Sequence, residues 1–236
     1  MPGPLLETVE LKKRFGGVHA VDGISLSLGA GELRCIIGPN GAGKSTFFQL
    51  LTGRVRPDSG RIFYAGRDIT REHPFQRARH GIAVKVQSLG VYPELTVQHN
   101  LSVPLQRHVS ESQLPAAISA LLPRLGLAGR EQSVVRDLSH GQRQWLEISM
   151  LIVADPKLLL VDEPAAGLTD KETELTAQLL LELKGHHTLI VIEHDMDFVR
   201  RLNSRVTVLD NGKVLADGSL DQVQEDPAVI EAYLGR

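Results

Sequence analysis

Eight consecutive residues, Gly38-Pro39-Asn40-Gly41-Ala42-Gly43-Lys44-Ser45, set three glycines ahead of a lysine and a hydroxyl. Glycines let a backbone curl until successive N–H groups converge on the oxygens of a phosphate. Lys44 would add positive charge at the terminal phosphates, and a helix starting here would add its dipole. Ser45 places a hydroxyl where a nucleotide-bound Mg²⁺ can take it as a ligand, and Thr46 continues the segment. The run follows the apolar stretch 32–37 and precedes a helical pattern, which is the context the motif needs. By itself it fits a kinase, a GTPase or an ATPase equally well.

Two further places carry chemistry. The apolar run Leu158-Leu159-Leu160-Val161 ends in Asp162-Glu163-Pro164. Neighbouring side chains on a strand point to opposite faces, so the two carboxylates can divide labour. Asp162 would hold Mg²⁺, and Glu163 would orient or deprotonate an attacking water. In Leu138-Ser139-His140-Gly141-Gln142, Ser139 can cap a helix, and Gly141 allows close approach of another group to its N-terminus.

The elements that must position these residues fall into three zones. Residues 8–11, 24–28, 32–37 and 61–64 read as strands, with glycine turns between them and a helix over 44–53. Beyond Gln87 the strand signals fade, and 110–125 and 142–153 carry helical spacing, with Pro115 in the first turn of the former. From Pro156 onward, strands at 158–161, 188–192 and 205–209 alternate with helix 171–184, which indicates a parallel sheet covered on both faces. Asn211-Gly212 predicts a hairpin into 214–216.

Of 236 residues, 42% are apolar and 23% charged, enough for an ordinary globular core. A net charge of -2 gives no electrostatic reason to expect nucleic acid. The lone Cys35 rules out an internal disulfide, suits a reducing compartment and reads as a buried strand residue. Residues 1–10 lack an export pattern, and no apolar stretch approaches the roughly 20 residues of a membrane span.

With phosphate loop, Gln87, the Ser139 segment, Asp162-Glu163, the 167–170 turn and His194 in this order, the chain resembles the ABC ATPase family along its whole length. The resemblance implies an α/β fold: a P-loop ATPase core of the ABC type with an antiparallel β subdomain and an inserted helical subdomain. Residues 1–86 and 156–236 would form the core and 87–155 the helical part. It also implies that Ser139, Gly141 and Gln142, in the signature segment, bind the γ-phosphate held by a second cassette, either a copy or a related subunit. Gln87 would ligate Mg²⁺ and sense a permease, His194 would contact the γ-phosphate, Asp170 would face the other cassette, and Phe15 would stack on adenine. The stretch 88–96, with Val91 and Tyr92 as anchors, would touch a permease helix.

His140 departs from the family pattern, where glycine is usual. His140, the run Arg143-Gln144-Trp145-Leu146-Glu147-Ile148, Glu193-His194-Asp195-Met196, and the ending Tyr233-Leu234-Gly235-Arg236 look like ATP-binding subunits of urea transporters within the branched-chain amino acid uptake group. The expectation is an ATPase at the cytoplasmic face of the membrane, held there by permeases, with a periplasmic solute-binding protein as an indirect partner. Urea leads as the solute, with branched-chain amino acids or amides behind it. A soluble ABC ATPase, an ATP-binding switch without turnover and a small-molecule kinase are the rivals.

Overall fold

The computed structural model describes residues 3–85 and 90–234. Strands β1 (Leu6–Phe15) and β2 (Val18–Leu28) form a hairpin. It is followed by β3 (Leu33–Ile37), α1 (Lys44–Leu51), β4 (Ser59–Tyr64), β5 (Arg67–Asp68), α2 (Pro74–Arg79) and β6 (Ile82–Lys85). Helices α3 (Val97–Leu105), α4 (Leu114–Leu121) and α5 (His140–Ile152) come next, then β7 (Leu158–Asp162), α6 (Asp170–Leu183) and β8 (Thr188–Ile192). The chain continues through α7 (Met196–Leu202), β9 (Arg205–Asp210), β10 (Lys213–Gly218), α8 (Leu220–Gln224) and α9 (Pro227–Leu234).

Two sheets result. A four-stranded antiparallel sheet has the order β2-β1-β4-β5, and a six-stranded sheet has the order β10-β9-β3-β8-β7-β6. In the larger sheet every pairing is parallel except the edge hairpin β9–β10. That hairpin turns at Asn211 and Gly212, both at positive φ (47° and 76°), as the Asn-Gly pair predicts.

Strand alternation divides the core. Leu159, Val161, Leu189 and Val191 face an apolar layer shared with Trp145, Leu146, Ile148, Leu180 and Phe198. Leu158, Leu160, Ile190 and Ile192 face the opposite way, into a layer with Phe47, Leu50 and Leu51 of α1 and the inner side of the antiparallel sheet. The helix that follows the phosphate loop thus shares a core with both sheets. Cys35 is wholly buried in β3, and burial pushes its thiol up to about 12. It is an inert core residue.

Several local expectations change. The helix over 110–125 is broken into a 3₁₀ turn (Glu111–Gln113), α4, and a second 3₁₀ turn (Leu122–Leu125). Pro123 explains the break, because it lacks an N–H and its ring crowds the carbonyl four residues back. Leu114, Ile118 and Leu122 still point inward. Strand β6 and helix α3 were not anticipated. The first has only four residues, and α3 buries the sparse pattern Val97, Asn100, Leu101 and Leu105. Val91, expected as a permease anchor, is a core residue at 7% exposure, whereas Tyr92 is 53% exposed. Asn100 holds Tyr92 in place by accepting from its backbone N–H at 2.7 Å and donating to its carbonyl at 3.0 Å.

Arg77 of α2 locks α1 to the antiparallel sheet. Buried to 1% exposure, it donates to the carbonyls of Leu50, Leu51, Ile69 and Thr70. Desolvation lowers its pKa to about 10, so the four carbonyls are what make its charge tolerable there. Replacing Arg77 by Ala strands these acceptors and should cost about 3 kcal/mol of unfolding free energy, measured by urea titration.

Candidate functional site

The parallel strands β3, β6, β7 and β8 all end on one side of the large sheet, and the predicted residues follow directly: Gly38 after β3, Glu163 after β7, His194 beyond β8. This is where ligands settle on open α/β sheets. Gln87 follows β6 but lies outside the described residues.

The phosphate loop has a path that only glycine can follow. Gly38, Gly41 and Gly43 have φ of 151°, 82° and 99°. A Cβ on Gly38 would collide with the Leu209 carbonyl, and one on Gly43 with the Ala20 carbonyl. The loop is also pinned by the bonds Gly212 N to Ala42 O (3.1 Å) and Ala42 N to Pro39 O (3.2 Å). Gly43 caps α1 without a side chain, so among the described residues no side-chain oxygen caps the first N–H groups of this helix, and they suit an anion. Lys44 is 9% exposed and bends back to donate to Gly38 O at 2.6 Å and Pro39 O at 3.0 Å. Asn40 and Ser45 are exposed, and Pro39 and Thr46 are partly so.

Charges concentrate beside this loop. Burial lowers the Lys44 pKa, against the pull of Glu163 and Asp162. Burial raises the Asp162 carboxyl and neighbouring Glu163 raises it further, with Lys85 and Lys44 opposing. Glu163 sits at a left-handed φ of 47° with its N–H on Ile192 O at 3.0 Å, and its carboxylate lies 3.6 Å from Nδ1 of His194. A divalent cation suits this arrangement, since it would relieve the repulsion between two adjacent acids, and the Ser45 hydroxyl stands in the first turn of α1.

Sequence reasoning missed a supporting acid, Glu193. Fully buried, it accepts from the N–H groups of Ala165 (2.8 Å), His194 (3.0 Å) and Asp195 (3.3 Å), so it shapes the loops after both β7 and β8. Its position one residue past an apolar strand was the available signal. Gln144 of α5 likewise donates to Pro164 O.

Ser139 caps α5 in a capping box with Gln142: its hydroxyl accepts from Gln142 N at 3.2 Å, and its own N–H donates to Gln142 Oε1 at 3.1 Å. The hydroxyl donates to Glu172 Oε1 of α6 at 2.9 Å, not to the phosphate loop. Gly141 is buried under that carboxylate: a Cβ there would lie 2.5 Å from Glu172 Oε1. Asp170 is exposed in the first turn of α6. Phe15, at the exposed tip of the β1–β2 hairpin, is 48% exposed with Lys13 Nζ 5.4 Å from its ring centroid. Ser139 and Gly141 are therefore engaged by α6 of their own chain.

Residues 21–166 match the family described as ABC transporter. The chain belongs to that family, whose members hydrolyse ATP to power transport. Residues 213–236 match a second description, branched-chain amino acid ATP-binding cassette transporter. The chain is 37% identical to the high-affinity branched-chain amino acid transport ATP-binding protein LivG of Salmonella typhimurium, over 100% of this chain and 99% of that one. It is 35% identical to BraF of Pseudomonas aeruginosa, a protein of the same description, with the same coverage. Among solved structures, a nucleotide-free ATP-binding cassette from an ABC transporter superposes with a TM-score of 0.88 at 31% identity, over 99% of this chain and 100% of that one. The ADP conformation of an ATP-binding cassette of an ABC transporter gives a TM-score of 0.86 at 30% identity, over 99% of each. Among the described residues, no helix is long and apolar enough to cross a membrane.

The raised pKa of Asp162 has a consequence for stability. In the window above its ordinary value, the folded chain holds a proton more tightly than the unfolded one, so Asp162 weakens the fold as pH rises through that window. Asp162→Asn should raise the nucleotide-free melting temperature at pH 7.5. The gain should vanish below the ordinary carboxylate range, as a pH series of thermal melts would show.

Proposed function

We propose that this chain is the ATP-hydrolysing subunit of an importer for branched-chain amino acids, working at an ATP site shared between two cassettes. The 37% identity to LivG over the whole chain supports the solute class, as does the match of residues 213–236. Urea, expected from residues around the signature, has no support from the relatives described above, which are named for branched-chain amino acids. Transported solutes would meet permeases and an external binding protein, so no residue here reads the solute. The chain is a single cassette, with 87–155 as its helical subdomain.

In the proposed mechanism the loop 38–46 holds the phosphates through its backbone N–H groups and the start of α1, and Lys44 turns from its carbonyl partners to the terminal phosphates. Two unit charges about 4 Å apart attract by roughly 4 kcal/mol at an effective dielectric near 20. Asp162, Ser45 and Gln87 would hold Mg²⁺, which when bound neutralises charge on the phosphates. Glu163 orients the water, held by its unusual backbone and faced by His194, while His194 reaches the γ-phosphate. Phe15 lies under the adenine. Ser139, Gly141 and Gln142 of the second cassette seal the γ-phosphate, a role supported by the separation of Ser139 from the phosphate loop of its own chain.

Closure of the two cassettes on ATP, and their release on hydrolysis, would drive paired permeases. Tyr92, fixed by Asn100, remains the permease contact on the 88–96 stretch.

Glu163→Gln should keep ATP binding and lower turnover by about a hundred- to a thousandfold, the usual cost of removing one transition-state group. Retained phosphate release would remove Glu163 from this role. Lys44→Ala should weaken nucleotide binding by about tenfold or more in a calorimetric titration. For the solute, ATP-dependent uptake by the intact membrane complex should favour labelled leucine over labelled urea, and the reverse preference would restore urea.

A further inference from the structure

The γ-phosphate seal assigned to the signature helix is already occupied by an anion, and that anion belongs to the same chain. The Glu172 carboxylate rests on Gly141 and accepts a hydrogen bond from the Ser139 hydroxyl through Oε1 at 2.9 Å. Its other oxygen, Oε2, accepts from the N–H of Thr169 at 3.1 Å and its hydroxyl at 2.9 Å, so the side chain is anchored at the start of α6. The Thr169 N–H, then the Ser139 and Thr169 hydroxyls, hold this carboxyl below its usual range, and His140 pulls the same way. It is ionised throughout the physiological range. Ser139 has one hydroxyl proton, and its oxygen already accepts from Gln142 N. It cannot donate to Glu172 and to an incoming phosphate at once.

His140, the departure from the family pattern, strengthens this arrangement. Its Nε2 lies 3.2 Å from the Ala166 carbonyl, which can only accept, so Nε2 carries the proton. The ring also covers Gly167. Ser139 and His140 are thus both tied to the 166–172 segment of their own chain.

We propose that Glu172 is a latch: its carboxylate stands in for phosphate at the signature helix, and closure of two cassettes on ATP requires the γ-phosphate to displace it from Ser139. This rests on the shared-site reading above. The latch makes closure depend on the full negative charge of a γ-phosphate, because only an anion can replace the carboxylate without leaving the helix N-terminus and the Ser139 proton unmatched. It raises the ATP concentration needed for assembly and leaves binding in the chain's own phosphate loop unaffected.

The test uses the full chain carrying Glu163→Gln, in which hydrolysis is slowed, with ATP-dependent dimerisation followed by sedimentation. Adding Glu172→Gln removes the charge but keeps a residue suited to the third helical position of a capping box, so α6 and the melting temperature should be preserved. The ATP concentration for half-maximal dimer should fall by about tenfold, as expected when the competing latched state is removed. ADP affinity, which needs no seal, should be unchanged. An equal or higher ATP requirement in Glu172→Gln overturns the latch. A parent that never dimerises on ATP, alone or mixed with a related cassette of its transporter, overturns the shared-site reading and the latch with it. His140→Gly should lower the ATP requirement by a smaller factor, and an unchanged value removes His140 from the clasp.

Discussion

The path of residues 38–43 is the constraint on which the rest depends. Two of its glycines press against carbonyls from elsewhere in the fold, Gly38 on Leu209 at the end of β9 and Gly43 on Ala20 in β2. Any side chain at either point would push the loop off these neighbours, and their positive φ values would be strained as well. The phosphate cradle is therefore held by both sheets. Strand β3 supplies the approach, β9 and β2 supply the walls, and α1 supplies an uncapped N-terminus whose own core contacts fix its direction.

Charge is stored around this cradle at a cost to the empty protein. Asp162, Glu147 and Glu193 all have carboxyls raised mainly by burial, and Lys44 and Lys85 have amines lowered by it. Lys85 and Glu147 lie 3.9 Å apart at 6% and 8% side-chain exposure, joining the end of β6 to α5, and Glu147 also accepts from Gly90 N. A fold chosen for stability alone would avoid such groups. Their sites make sense if a polyanion and its cation complete them. The left-handed backbone of Glu163, beside this charged cluster, is likewise strain held by the surrounding structure.

The helical part of the chain is tied to this charged centre by α5. One helix carries Ser139 at its start, Gln144 on Pro164, Trp145 donating to Thr176 of α6 at 2.9 Å, and Glu147 on β6 and Gly90. A displacement at its N-terminus therefore bears on Lys85 at the end of β6, on Gly90 and on the loop that follows β7. If Ser139 seals a second cassette's nucleotide as proposed, α5 is a physical route from that seal to Gly90, two residues before Tyr92.

The amino-acid sequence by itself determined the chemistry-bearing segments and most of the elements that hold them. Gly38 to Ser45 announces a phosphate loop because only glycines tolerate that path. Asp162-Glu163 announces a strand-end acid pair because apolar runs must end where charge begins. Asn211-Gly212 announces a hairpin because both residues accept positive φ. Three kinds of feature required tertiary structure. Pro123 broke a regular apolar pattern that helical periodicity alone reads through, and Val91 turned inward because a loop residue's burial depends on what lies beneath it. Glu193 and Glu172 were visible only as carboxylates near strand or helix ends, and their partners, the Ala165 amide and the Ser139 hydroxyl, lie 28 and 33 residues away in the chain. Spacing along a sequence encodes local geometry and periodic burial. Which distant donor meets which acid is decided only when the sheets and helices pack.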